Sequence, residues 1–156
     1  MREIGTINLL DHMNTHHCLP VHNYQYGTHP EEVKIGNQVW KERFTQKQPG
    51  DSCWIGCNLR CSHAVDGFKL KTGPLKGKEV IVDGPEYETA AGFGGNCGCF
   101  DPDIILEANF YCDHYGIDTI GVSTTIAFLM ECYERGILNQ ERTGGLDLRF
   151  GNGEAL

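Results

Sequence analysis

The chain has 156 residues, enough for one domain with a sizeable core, and nothing in that length calls for two. Its formal charge of -8, with 13 Lys and Arg against 21 Asp and Glu, sets aside a nucleic-acid partner, because a phosphate backbone is met by a basic patch. The opening stretch "MREIGTINLLDHMNTHHC" holds only a short apolar run among polar residues. Neither a secretory leader nor a membrane span is read there, and the protein is expected to be cytoplasmic. Reductants in that compartment keep thiols free, so the 8 cysteines point to metal ligands or catalytic thiols before disulfides.

Taken in chain order, Ile7, Leu10 and Cys18 recur at helical spacing and predict a helix over residues 4–18, ending before Leu19 and Pro20. Turn residues Gly27 and Pro30 follow. Pro30 sits at the first turn of a second expected helix, which runs to Phe44 and is closed by Pro49 and Gly50. The Lys- and Gly-rich stretch from Gly67 to Gly84 suits an exposed hairpin with a short strand at Val80 to Val82. Beyond it the pattern is helical. Asp101 reads as an N-cap, Pro102 as the first helical residue and Gly116 as the terminator, with Ile105, Ala108, Cys112 and Tyr115 on one apolar face. After Asp118 a second such helix places Ile126, Leu129, Met130 and Tyr133 on one stripe and closes at Arg135 and Gly136. The tail from Asn152 to Leu156 reads as the start of another helix. The fold class is therefore mainly α, multi-helical, with a short hairpin or strand near 67–84, and residues 1–156 read as a single partial domain.

The stretch "GDSCWIGCNLRCSH" spaces Cys53, Cys57 and Cys61 at equal intervals and adds His63. On a straight helix these sulfurs would be strung over roughly 12 Å, too far for one metal centre. The backbone must therefore wrap, and Gly50, Gly56 and Asn58 tolerate tight turns. Such a loop can supply the local thiolates of a cubane iron–sulfur cluster, or, with His63, a zinc site that stabilises an interaction module with no redox role. Cys97 and Cys99, in "GGNCGCF", are either further ligands or small buried residues under close backbone packing. Cys18, Cys112 and Cys132 lie among apolar neighbours and read as small hydrophobes.

Read in order, "GDSCWIGC", "GPEYET", "LEANFYCDHYGIDTI" and "IAFLMECYERGIL" resemble the central part of the aldehyde ferredoxin oxidoreductase family of tungsten or molybdenum pterin enzymes. The resemblance runs from Gly5 to the last residue. It implies a fragment of that family's helical domains, a tungsten (or molybdenum) bis-pterin, a 4Fe-4S cluster and ferredoxin as partner. It also implies oxidation of an aldehyde to a carboxylic acid, in a complete enzyme that forms a homodimer or larger complex. A second possibility within the family is the tungsten subunit of an aromatic acyl-CoA reductase. The chain alone is not expected to turn over, since the rest of the pterin cradle and the distant fourth cluster cysteine lie outside it.

By the resemblance, Asp113, Ile117 and Asp118 match the family's D-x-x-G-L-D pterin motif, with Ile117 in the leucine's place. A pterin edge presents N–H donors, and carboxylates offer only acceptors. From spacing alone, Asp118 serves equally as the cap of the second helix and Asp113 as a solvated helix residue. Glu88 of "GPEYET" matches the glutamate that assists proton transfer as aldehyde is oxidised; Glu86 is its rival and is expected to point elsewhere. Cys53, Cys57 and Cys61 are the implied cluster ligands, although Gly50 stands where the family's first cysteine is expected and Cys61 is the substitute. Glu107 matches a glutamate that holds an intersubunit iron in some members. Phe110 replaces the histidine of their E-x-x-H, so no iron is assigned to it.

Overall fold

The computed structural model describes residues 3–156, apart from the side chains of residues 47–51 and 62. Its frame is a pair of long helices, α4 (Pro102–Tyr115) and α5 (Thr119–Glu134), and both follow from local chemistry. Asp101 caps α4 by accepting from the Asp103 N–H at 2.9 Å, Pro102 fills the first turn, and Gly116 ends the helix in the left-handed region at φ 67°. There the Ile117 N–H reaches back to the Cys112 carbonyl at 2.9 Å. Asp118 then caps α5 through the Gly121 N–H at 2.6 Å.

The faces of these helices differ in part from the expected ones. Ile105, Leu106 and Cys112 of α4 are buried, but Tyr115 is 56% exposed. Its ring stacks on Tyr111, with centroids 5.9 Å apart, so the last turn of α4 extends past the core. On α5 the buried line is Ser123, Ala127 and Met130, with Ile126, Leu129 and Tyr133 only partly buried beside it. Close packing explains the shift. A π-helix, Ala90–Asn96, is buried at every residue and lies against α5 so tightly that a Cβ on Gly92 would meet Ser123 Oγ at 2.3 Å. Only small residues on both sides allow that approach. Cys97 and Cys99 lie in the same packing, buried, and burial raises both thiols, that of Cys99 to about 12. Both are small residues held in close packing.

The amino-terminal helix begins as a 3-10 turn, Gly5–Asn8, and continues as α1 (Leu9–Thr15). Cys18, read as a small hydrophobe, is exposed instead, because α1 stops before it. Residues 30–44 do not form one helix. A 3-10 turn, Pro30–Lys34, capped by His29, precedes α2 (Asn37–Arg43). The break buries Ile35 and Trp40 together, and the Trp40 indole N–H donates to the Ile35 carbonyl at 2.7 Å, a bond that an unbroken helix would have spent within the backbone.

The expected hairpin is β2 (Ser62–Lys69) paired antiparallel with β3 (Glu79–Asp83), in the register Val65 with Val82 and Phe68 with Val80. A third strand, β1 (Gln46–Asp51), pairs with the other edge of β2. Pro49 and Gly50 read as breakers, yet an edge strand tolerates proline because one row of its N–H groups has no ladder partner. A three-residue helix, α3 (Tyr87–Thr89), leads from β3 into the π-helix, and a short 3-10 turn, Gly153–Ala155, stands where the tail helix was expected. Among the described residues no helix is long and apolar enough to cross a membrane.

One buried acid sits where α1 meets the 30–34 turn. Glu32 is 6% exposed; its Oε2 accepts from Asn14 Nδ2 at 3.2 Å, and its other oxygen has no hydrogen-bond donor among the described residues. Burial, then the adjacent Asp11 carboxyl, raise Glu32 to about 7. The folded state thus holds this proton more tightly than the unfolded chain. The contribution to stability is full below the unfolded value near 4.5 and is lost as pH rises through about 7. Glu32→Gln should therefore raise the thermal midpoint at pH 8, by a stabilisation of about 1–2 kcal/mol, and change it little at pH 5. Melting curves at the two pH values check this; a gain at pH 5 alone would contradict it.

Candidate functional site

The end of β3, the start of α3 and the middle of α4 border an open cavity of about 540 Å³, whose acidic residues are exposed. Asp83 stands at its edge as the last residue of β3, and a cis Gly84–Pro85 peptide follows. Gly84 has φ 104°, a conformation that favours glycine, and its N–H donates to the His63 carbonyl at 2.6 Å. The chain is still extended at Glu86, the N-cap of α3, and becomes helical at Tyr87. Glu86 and Glu88 both line the cavity, against the expectation that Glu86 points elsewhere; two residues apart, they share a face of extended chain, and only a continuous helix would have separated them. Across from them Asn109 and Asp113, one helical turn apart on α4, complete an acidic wall.

Four carboxyl groups, those of Asp83, Glu86, Glu88 and Asp113, thus face one space. Desolvation, then the field of Asp83, raises Asp113 above the usual carboxylate range, and a hydrogen bond from Asn109 works in the opposite direction. Glu86 is raised by desolvation first, then by Glu88 and Asp83. A space lined in this way repels anions and favours a ligand that brings N–H donors or positive charge. The hydroxyl-bearing residues Thr6, Thr89 and Thr119 line its remainder, and Thr89 and Thr119 are hydrogen-bonded to each other at 3.0 Å.

The expected site residues do not all converge. Glu88 and Asp113 meet at the acidic cavity, while Ile117 lines a second, apolar cleft of about 440 Å³ between α4, residues 72–74 and the tail. The left-handed turn at Gly116 explains the separation, since it redirects the chain between Asp113 and Ile117. Asp118 lines neither space, and its Oδ2 is committed to the cap of α5. Asp83 and Asn109 were not foreseen. The spacing of Asn109 to Asp113, i to i+4 on a helix, was the available signal for the second of them.

The loop between β1 and β2 carries Cys53, Cys57 and Cys61 and does fold back on itself. The Cys57 N–H bonds to the Trp54 carbonyl at 3.0 Å, and Arg60 has φ 51°. Cys53 is exposed and the other two are half-buried. Cys61 packs so closely on Gly5 that a Cβ there would meet its Cα at 2.4 Å. Burial raises the Cys61 thiol most, followed by Glu86, with a smaller push from Cys57, so this thiol sits beside the acidic cavity. Among the described residues no three His, Cys, Asp or Glu side chains are gathered as a metal site. His63, the fourth ligand of the zinc alternative, is buried and stacked on Phe44 at 5.1 Å. Glu107 is buried as well, and accepts from the Lys71 and Thr72 N–H groups and from the Thr72 hydroxyl.

Comparison with known proteins gives a family match over residues 1–156, to the model described as aldehyde ferredoxin oxidoreductase, domains 2 and 3. The chain is 34% identical over 156 residues to the tungsten-containing aldehyde ferredoxin oxidoreductase of Pyrococcus horikoshii and equally to that of Pyrococcus abyssi. In each case the match covers 97% of this chain and 24% of the relative, so the chain spans about a quarter of the length of these relatives. It is also 32% identical over 143 residues to an aliphatic sulfonate oxidoreductase, WOR-like subunit, of Pyrococcus furiosus, a match covering 88% of this chain and 20% of the relative.

Proposed function

The chain belongs to the aldehyde ferredoxin oxidoreductase family, and on that premise we propose that it forms the acidic wall of the cofactor site in a tungsten-pterin, iron–sulfur oxidoreductase. That enzyme oxidises aldehydes to carboxylic acids and passes the electrons to ferredoxin. One observation carries the reading: Glu88 and Asp113, which lie on separate elements, line one cavity.

The residues fit a pterin. Its edge offers amino and ring N–H donors, and the cavity offers carboxylate acceptors whose mutual repulsion such donors would relieve. Asp113 would hold that edge. When bound, the tungsten-pterin supplies the two-electron redox chemistry that no amino-acid side chain can. The thiol loop fits a cluster in part. The Cys61 thiol feels the field of Glu86 and, more weakly, that of Cys57, while Cys53 is exposed; gathered together, these would be three thiolates of the 4Fe-4S cluster.

Oxidation of an aldehyde and water to a carboxylic acid releases a pair of electrons and a pair of protons. Ferredoxin takes the electrons, and the protons require an acceptor at the site. Glu88 is that acceptor. Glu86, raised by burial and by its acidic neighbours, can hold a proton next to it. Charge also argues for a neutral carbonyl substrate over a sulfonate, the class named for the Pyrococcus furiosus relative, because an anion would enter among four carboxyl groups.

The test is anaerobic purification of the complete gene product from cells given tungstate, followed by metal analysis and by viologen reduction with an aldehyde or oxidation of reduced viologen with an aromatic acyl thioester. The reading expects tungsten, iron and aldehyde-dependent reduction. Zinc without tungsten, molybdenum or iron would overturn it, and turnover of the thioester alone would move the substrate class.

A further inference from the structure

We infer that Asn109 is the positioning residue that holds Asp113 as an aimed anion on the wall of the acidic cavity; the inference deepens the reading of that cavity as a pterin site and rests on it. Asn109 is 4% exposed, and its Nδ2 donates twice, to the Asp83 carbonyl at 2.7 Å and to Asp113 Oδ2 at 3.0 Å. Both partners are acceptors, so they fix which end of the amide faces them: the reverse orientation would set the amide oxygen against a carbonyl and a carboxylate. A single side chain therefore ties the last residue of β3 to the carboxylate on α4. Gly84 lies against it: a Cβ at that position would meet Asn109 Oδ1 at 3.4 Å, an ordinary contact, and it is the φ of 104° that disfavours a side chain there.

The bond is needed because everything else at Asp113 favours the neutral acid. Partial desolvation acts on a side chain that is otherwise exposed, the field of Asp83 of β3 acts on it as well, and Glu86 and Glu88 at the start of α3 share the cavity. On its own helix, Cys112 is the neighbouring titratable group. A protonated Asp113 would present a donor on one oxygen where a pterin edge needs acceptors. Asn109 engages Oδ2 and favours the ionised form, and among the described residues Oδ1 has no protein donor and remains for a ligand.

The test uses the complete gene product, with Asn109→Leu, Asp113→Asn and the double variant made in parallel, and measures pterin-bound tungsten per polypeptide after dialysis across a pH series. Retention in the parent should fall as pH drops and Asp113 is protonated. In Asn109→Leu the fall should occur at higher pH, with roughly fivefold to tenfold less tungsten retained at neutral pH. In the Asp113→Asn background the same substitution should change retention less than about twofold, the non-additivity expected of two residues acting as one. Asn109→Ser, a shorter donor, should restore part of the retention and serves as the readout if the leucine variant does not fold. An unchanged pH midpoint, or an equal loss with and without Asp113, would overturn the inference while leaving the cavity's role intact. A parent protein holding no pterin would overturn the reading of the cavity and this inference with it.

Discussion

Replacing Glu88 with glutamine in the complete enzyme should lower aldehyde oxidation by roughly 10²–10⁴-fold while leaving tungsten content unchanged, the magnitude expected when a positioned proton acceptor is removed. Glutamine keeps the size and one acceptor oxygen, so the cavity should keep its shape. Only the capacity to take a proton goes. Glu86, beside it, is raised by burial and then by Glu88 and Asp83, but it does not hold the position that matches the family's proton-transfer glutamate. Glu86→Gln should therefore cost less than Glu88→Gln. Steady-state rates normalised to tungsten check the order, and a reversed order would move the acid/base role to Glu86.

The largest effect on stability is expected at Glu107. Its Oε1 accepts from the Thr72 N–H at 2.6 Å, the Thr72 hydroxyl at 2.8 Å and the Lys71 N–H at 3.1 Å, which fastens the segment after β2 to the middle of α4. Glu107→Ala removes these bonds to a buried carboxylate, while water can reach the exposed Lys71 and Thr72, and should destabilise by about 2 kcal/mol. Urea unfolding of the wild-type and variant proteins measures it, and a loss under about 1 kcal/mol would contradict the role. The sequence resemblance matched Glu107 to a glutamate that holds an intersubunit iron in some members, with no iron assigned to it here. The structure gives it a set of protein donors, which accounts for a buried glutamate in a chain where phenylalanine replaces the companion histidine.

What could be read in advance depended on range. The ends of α4 and α5 were legible because Asp101, Pro102, Gly116 and Asp118 act within a few residues of themselves. The break at residue 35 was not, because it is set by Trp40 folding back on the Ile35 carbonyl and by packing beyond the helix. Nor was β1, whose Pro49 reads as a breaker until a place at the sheet edge makes it harmless. The small buried residues of "GGNCGCF" were legible as close packing, and the burial of Cys97 and Cys99 agrees with that reading.

At the site, Glu88 and Asp113 came from the family resemblance, and the fold places both on one cavity. Asp83 and Asn109 stayed hidden because their value arises only when β3 meets α4. Asp118 caps α5 through one carboxylate oxygen, a role compatible with its place in the motif. Helix capping and pterin recognition both select a carboxylate, so residue type alone could not separate them.

The most direct measurement is anomalous diffraction at the tungsten edge from crystals of the complete, anaerobically purified enzyme. The account predicts the tungsten peak at the mouth of the space bounded by Asp83, Glu88 and Asp113, with pterin density against Asp113 and the Glu88 carboxylate turned toward the metal. A peak away from that space, with Glu88 and Asp113 both facing solvent, would contradict it.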